Sequence, residues 1–241
     1  MNIIQISDLH IPEEHEFTHN ISIRENFNTL LSHIAAYTYD MIVITGDLAY
    51  STGSESIYSY IYSYLKNISA KTCIIAGNHD DKKLLYNTFT YAIPDKKLYY
   101  SLTKNNHSFI FLDTSQGYID KQQLLWLKQT LQTLQNVIIF MHHPPIKSNV
   151  EYMDTKYPLQ HTAELHKILY AHPYTINVYC GHYHTGKSIT SQNLSIHICP
   201  SIFYQIDTQS SHFNIEHTNI GFRYITLSND QPKSEIIWIS T

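Results

Sequence analysis

The sequence predicts an α/β fold in which two sheets pack face to face with helices outside, and three observations point there. Over the first two thirds of the 241 residues, short β-branched runs alternate with amphipathic helical stretches, which is the sequence form of βα units around a sheet. After Tyr170 short strands follow one another across turn residues, without long helices between them. No Gly-, Ser- or Pro-rich linker divides the two parts. The chain therefore reads as one domain over residues 1–241, with a β-rich C-terminal part from about 174.

Taken in order, residues 3–7 form a first apolar strand. Phe27, Leu30, Leu31, Ile34 and Ala35 then recur at helical spacing, and residues 41–45 give a second strand ending in Gly46. A Tyr- and Ser-rich helix is expected over 54–68, followed by a strand over 72–76 ending in Gly77. Strands at 108–112 and 137–141 bracket a helix with Leu124, Leu127, Leu131 and Leu134 on one stripe, and Asp120 with Gln123 reads as its capping box. Residues 175–179, 194–198, 202–206, 222–227 and 236–239 are the later strands.

Composition narrows the function classes. Hydrophobic residues make up 43% and charged residues 15%, enough for a core and unlike a disordered chain. Sixteen Lys and Arg against twenty Asp and Glu give a net charge of -4, scattered rather than blocked, so nucleic acid is not an expected partner. The three cysteines, Cys73, Cys180 and Cys199, are odd in number and set among apolar neighbours; they read as reduced, buried thiols of a cytoplasmic protein. No apolar run approaches the roughly 18 to 20 residues of a membrane span, and the chain opens into Ile3, Ile4 and Ile6 without a basic segment.

Chemistry concentrates at strand ends. Asp8 and His10 follow the first strand, Asp47 the second, and Asn78, His79 and Asp80 the third. His142-His143-Pro144-Pro145 and Gly181-His182-Tyr183-His184 follow two later strands. In α/β sheets ligands bind outside the carboxyl ends of the strands, so these side chains are expected in one place. Taken singly, a Gly-Asp pair after a strand is a turn and a lone His there a hydrogen-bonded turn residue. Together they supply Asp8, His10, Asp47, Asn78, His142, His182 and His184, an oxygen and imidazole set without thiolate that suits Mn, Fe or Zn. Seven ligands exceed one catalytic ion but fit two that share a carboxylate and a solvent molecule. Asp47 is the natural bridge, with Asp8, His10 and His184 on one ion and Asn78, His142 and His182 on the other. His79 cannot easily ligate while Asn78 does, so it is left to act as a proton or hydrogen-bond donor beside the ions. Asp80 either orients His79 or a neighbouring ligand, or caps a helix starting near Lys82. His143, before Pro144, either supports the centre or fixes its loop.

Asp-x-His, Gly-Asp, Gly-Asn-His-Asp, His-His-Pro-Pro and Gly-His-x-His in this order resemble the calcineurin-like metallophosphoesterase superfamily over about residues 1 to 200. The resemblance implies a four-layer α/β/β/α sandwich and two divalent or mixed-valence ions, one within Asp8, His10, Asp47 and His184, the other within Asp47, Asn78, His142 and His182. His79 would lie near the phosphoryl group. Within the superfamily, Ile6-Ser7-Asp8-Leu9-His10, the His-Pro stretch and residues 199–205 resemble the class III cyclic nucleotide phosphodiesterases and their glycerophosphodiesterase relatives. Such an enzyme would hydrolyse a 3′,5′-cyclic nucleotide, cAMP first, to the 5′-monophosphate by way of a metal-bridging hydroxide. The alternatives are a glycerophosphodiesterase, phosphomonoesterase or lipid pyrophosphatase using the same ions, or a non-catalytic scaffold. Selectivity would come from residues 146–160, from the Tyr-rich stretch 50–60, and from Phe203 with Tyr204, whose rings either stack on a base or belong to the core. Only Arg24 and Arg223 are available as guanidinium clamps, which disfavours a monoester dianion, with Lys147 or Lys187 as the alternative clamps. The segment 211–241 either completes a sheet or covers a homodimer contact.

Overall fold

The computed structural model describes every residue except 17, 95, 96, 106, 229–231 and 241. Its first part runs β1 (Asn2–Ile6), α1 (Ile23–Ile34), β2 (Met41–Thr45), α2 (Glu55–Leu65), β3 (Lys71–Ile75), α3 (Lys82–Thr88), β4 (Tyr100–Lys104) and β5 (His107–Phe111). Then come α4 (Lys121–Leu131), β6 (Val137–Phe140), α5 (Glu151–Lys156), α6 (Ala163–Tyr170) and β7 (Ile176–Cys180). The last part holds β8 (Lys187–Ser191), β9 (Leu194–Ile198), β10 (Gln205–Ile206), β11 (Ile215–His217), β12 (Ile220–Thr226) and β13 (Lys233–Ile239). One sheet has the order β13-β12-β1-β2-β3, the other β4-β5-β6-β7-β9-β8. In the first, β1, β2 and β3 are parallel and β12 and β13 antiparallel. In the second, β5, β6, β7 and β9 are parallel between antiparallel edge strands β4 and β8. Both sheets are thus mixed, and within the segment 211–241 strands β12 and β13 complete the first while β11 pairs with β10.

Strand alternation explains the layers. Ile3, Met41, Val43, Cys73 and Ile75 point inward against Phe109, Phe111, Ile138, Phe140 and Tyr179 of the second sheet. A ladder of stacked rings crosses that sheet, with centroids 4.4 Å apart for Tyr100–Phe111, 5.3 Å for Phe111–Phe140 and 5.5 Å for Phe140–Tyr179. The alternate residues Ile4, Ile6, Ile42, Ile44 and Ile74 face outward to Phe27 and Leu30 of α1 and Ile57 and Ile61 of α2. On the far side Ile110, Ile139, Val178 and Ile196 meet Leu127 of α4 and Leu165 and Leu169 of α6. The result is the expected α/β/β/α order.

Several details differ from the sequence reading. The strand expected over 202–206 is reduced to Gln205–Ile206. The Gln205 side chain bonds the main chain of Ser201 instead, accepting from Ser201 N at 3.3 Å and donating through Nε2 to Ser201 O at 2.8 Å, and Phe203 N donates to Ser201 Oγ at 2.9 Å; local bonds of this kind displace a ladder. Asp120 does cap α4, accepting from Gln123 N at 2.8 Å, but Gln123 holds Asp113 rather than closing a capping box. Helices α5 and α6 and the edge strands β4 and β8 were not expected. The edge strands are short and half exposed, so they carry little apolar patterning.

Candidate metal centre

All the parallel strands in question end at one edge of the sandwich, and each delivers its side chains through a sharp turn. Asp8, His10, Asp47, His182 and His184 have φ of 53°, 46°, 51°, 67° and 45°, a left-handed conformation rare outside glycine and found chiefly where function requires it. The loops hold one another in this shape. Asp8 N donates to Gly46 O at 3.0 Å and His10 N to Asp47 O at 3.0 Å, while Gly181 N donates to His142 O at 2.9 Å. Ser201 Oγ donates to Asp8 O at 2.9 Å, which gives the segment after β9 its place beneath β1. The glycines are dictated by close approach: a Cβ on Gly46 would lie 2.6 Å from both Gly77 N and His142 Nδ1.

The structure brings the seven predicted ligands together. His10 Nε2 and His184 Nε2 lie 2.9 Å apart. Asp8 Oδ1 is 3.5 Å from His184 Nε2 and 4.0 Å from His10 Nε2. Asp47 Oδ2 stands between the two halves, 3.7 Å from His10 Nε2 and 3.2 Å from His142 Nε2. Asn78 Oδ1 is 3.2 Å from His142 Nε2. Ligand atoms of Asp8, His10 and His184 fall within 4.8 Å of one another, as do those of Asp47, His142 and His182. A third such group joins His10, Asp47 and His79. Buried imidazole nitrogens converging on two carboxylates, with no Lys or Arg among them, form a donor set that fits cations.

Carbonyl groups fix the rings. Thr45 O lies 2.7 Å from His142 Nδ1 and Tyr157 O 3.0 Å from His182 Nε2. A carbonyl only accepts, so these nitrogens carry protons, leaving His142 Nε2 and His182 Nδ1 as the nitrogens available to a cation. Burial pushes His10 down to about 4 and His182 to about 3, and holds His184 well below the imidazole range, so these rings are neutral, the form that ligates. Burial alone would raise Asp47, but His142, His10 and His79 outweigh it and hold the carboxyl well below its usual range. His142 is raised to about 9, burial opposing its charge and Asp47 stabilising it.

The flanking residues sort by their partners. His79 N donates to Asp47 Oδ1 at 2.9 Å, and its half-exposed ring has Nδ1 3.2 Å from Ser51 O and Nε2 4.0 Å from Asp47 Oδ2. The Asp80 carboxylate accepts from Gly77 N, Leu48 N and Tyr58 Oη at 2.9, 3.1 and 3.0 Å, strapping together the loops that carry Asp47 and Asn78. The cap of α3 is Asp81, accepting from Leu84 N at 2.8 Å, so Asp80 does not serve as the helix cap. His143 has its Nδ1 3.0 Å from Thr114 Oγ1 and packs 4.0 Å from the His182 ring centroid. Sequence reasoning missed Thr45, Ser51 and Tyr157 because they act through backbone carbonyls, which leave no side-chain signature.

A cavity of about 540 Å³ opens over the centre. His10, Asp47, Asn78, His79, His182 and His184 line its floor, and Tyr152, Tyr157, Tyr204 and Phe213 one wall. Among the described residues, no Lys or Arg lines it. Arg24 lies over the Tyr60 ring at 4.3 Å, and buried Arg223 bonds Lys187 O and Ile198 O between the sheets.

Three comparisons bear on identity. A protein of Vesicomyosocius okutanii named probable cyclic nucleotide phosphodiesterase is 30% identical over 99% of this chain and 99% of its own length. A similarly named protein of Fibrobacter succinogenes is 29% identical over 100% of this chain and 95% of its own. A dimetal phosphatase from Danio rerio shares the fold, with a TM-score of 0.73 at 14% identity over 99% of this chain and 98% of that one. The model of the calcineurin-like phosphoesterase family matches residues 1–186, and with the strand-end donor set in that span, the chain belongs to this family.

Proposed function

We propose that this protein is a metal-dependent phosphodiesterase that hydrolyses 3′,5′-cyclic nucleotides, cAMP foremost, to 5′-monophosphates. The observation that carries this reading is the cavity itself: a floor of Asp, Asn and His donors, an uncharged aromatic wall, and no Lys or Arg. A diester monoanion needs no cation beyond the floor, whereas a monoester dianion is ordinarily clamped by guanidinium or ammonium groups. The names of the full-length relatives support the same substrate class.

Two ions of Mn, Fe or Zn would be held by Asp8, His10 and His184 on one side and Asn78, His142 and His182 on the other, with Asp47 shared. Bound there, they supply Lewis acidity that lowers the pKa of water and offsets charge gathering on the phosphoryl oxygens. The protein orients the His142 and His182 rings through Thr45 O and Tyr157 O, and burial keeps His10, His182 and His184 neutral. His79 is the proton-transfer residue. Its Nδ1 donates to Ser51 O, so Nε2 faces the floor, where a protonated ring gives its proton to the departing sugar oxygen. Asp47 Oδ1 takes the His79 amide and fixes the approach of that ring. The three free, buried thiols fit a reducing, cytoplasmic setting.

His79→Gln keeps a hydrogen-bonding side chain but cannot deliver the proton, and is expected to lower kcat for cAMP by about 10² to 10³. Metal content should stay at the wild-type level; loss of metal in this variant would make His79 a ligand instead. The reading as a whole is tested by chelating the protein, reloading it with Mn and comparing kcat/KM for cAMP, cGMP, bis-p-nitrophenyl phosphate and p-nitrophenyl phosphate. Formation of 5′-AMP with the highest kcat/KM supports it, and preference for the monoester overturns it.

A further inference from the structure

Four aromatic rings close one side of the cavity. Starting at the His184 ring, the chain of contacts runs to Tyr204 at 5.0 Å, Phe213 at 5.6 Å, Tyr152 at 6.0 Å and Tyr157 at 5.7 Å between centroids. It returns to the floor where Tyr157 O receives the His182 ring N–H. These rings meet edge-on or tilted, at 43° to 72°, unlike the stacked ladder inside the sandwich. Their faces are therefore not used against one another. Tyr157 and Phe213 are 52% and 44% exposed, an unusual concentration of solvated apolar surface beside a polar site.

The wall is held rigidly. Asp154 accepts from Ser148 N at 2.8 Å and Val150 N at 3.0 Å, which fixes the start of α5 and hence Tyr152 and Tyr157. Asp207 accepts from Gln209 N at 2.9 Å and Asn214 Nδ2 at 3.0 Å, which shapes the loop carrying Phe213. Glu151 N donates to Thr208 O at 3.2 Å and ties the two pieces together. Phe203 and Tyr50 also line the cavity, but Phe203 is packed between Tyr50 and Tyr204. Phe203 is 1% exposed and Tyr58 fully buried on Asp80, while Tyr50 packs edge-on against Phe203 at 5.5 Å.

We propose that Tyr152, Tyr157, Tyr204 and Phe213 form the nucleobase subsite, stacking on the base of a cyclic nucleotide whose phosphoryl group lies on the Asp and His floor. This deepens the cyclic nucleotide reading and rests on it. An uncharged wall takes the uncharged, planar end of the substrate, since every base offers a π-face and stacking needs no charged partner. The cavity, at about 540 Å³, falls in the range of sites that enclose a whole small ligand. These residues set specificity through binding and take no part in bond breaking.

Phe213→Leu, Tyr152→Leu and their double variant test this, measured on cAMP, on the abasic deoxyribose 3′,5′-cyclic phosphate followed by phosphorus NMR, and on glycerophosphocholine. Phe213 is solvated, so its truncation leaves the core intact, and thermal melting monitors the folding of each variant. KM for cAMP is expected to rise about tenfold per variant with kcat little changed, while the abasic ester is turned over with wild-type KM. Equal losses on cAMP and the abasic ester would overturn the subsite, as would unchanged KM on both. A wild-type preference for glycerophosphocholine, lost in the same variants, would reassign the rings as a cage for a quaternary ammonium. Absence of cAMP turnover by the wild type would refute the cyclic nucleotide reading itself, a result distinct from all of these.

Discussion

Replacing Asp47 by Ala is expected to reduce cAMP turnover at least about a thousandfold, the scale on which a pre-organised electrostatic contact to the transition state is lost. The position explains the size. Asp47 Oδ2 is the only carboxylate oxygen within 4 Å of both His10 Nε2 and His142 Nε2 among the described residues, and Oδ1 fixes the His79 amide. Removing it separates the two halves of the donor set, leaves the buried His142 ring without its carboxylate partner and releases the His79 amide. Metal retained after gel filtration should fall together with turnover. Asp47→Asn keeps the shape and one oxygen, so it should retain more metal than Asp47→Ala while remaining strongly impaired. A variant without Asp47 that keeps more than about a tenth of wild-type kcat/KM would sink the shared-carboxylate arrangement.

Gly77→Val carries the largest expected loss of stability. A Cβ at Gly77 would collide with the backbone nitrogen and carboxylate of Asp47, two groups that cannot swing aside because Asp47 is itself in a left-handed turn. Overpacking of this kind costs about 3 kcal/mol or more, and for a chain of this size that lowers Tm by roughly 6 to 12 °C. Gly117→Ala is the contrasting case. Unlike Gly77 it has positive φ, 76°, and its Cβ would meet nothing within 4 Å, so only the conformational penalty of about 1 to 2 kcal/mol applies. Equal melting of the two variants would show that close approach at Gly77 is not what excludes a side chain.

The metal-ligand candidates were legible because each follows an apolar strand, and the parallel topology turns a one-dimensional rule into one place in space. Asp8, Asp47, Asn78, His142 and His182 needed only strand boundaries correct to a residue or two. Their left-handed backbone was not legible, since no rule places φ > 0 on Asp or His, although the glycines at 46, 77 and 181 marked crowded turns. Asp80 was seen but left between two roles, and the neighbouring Asp81 takes the cap because α3 starts one residue later than an Asp80 cap would require. The aromatic wall was only half legible. Tyr204 stood out beside Pro200-Ser201, but Phe213 is brought to the site by a two-residue strand pair whose register is held by Asp207, a local device without periodicity. Helix α6 was not legible: Leu165, Ile168 and Leu169 stand at helical spacing, but the neighbouring His and Tyr residues obscure the pattern.

The central claim is a centre for two cations that share Asp47, and metal stoichiometry tests it most directly. Chelated protein titrated with Mn, with bound metal measured by plasma mass spectrometry and cAMP turnover read on the same samples, should take up two ions per chain. Turnover should rise only as the second binds, and Asp47→Ala should hold fewer than two. Full activity at one ion per chain, or activity that survives complete chelation, would contradict the account.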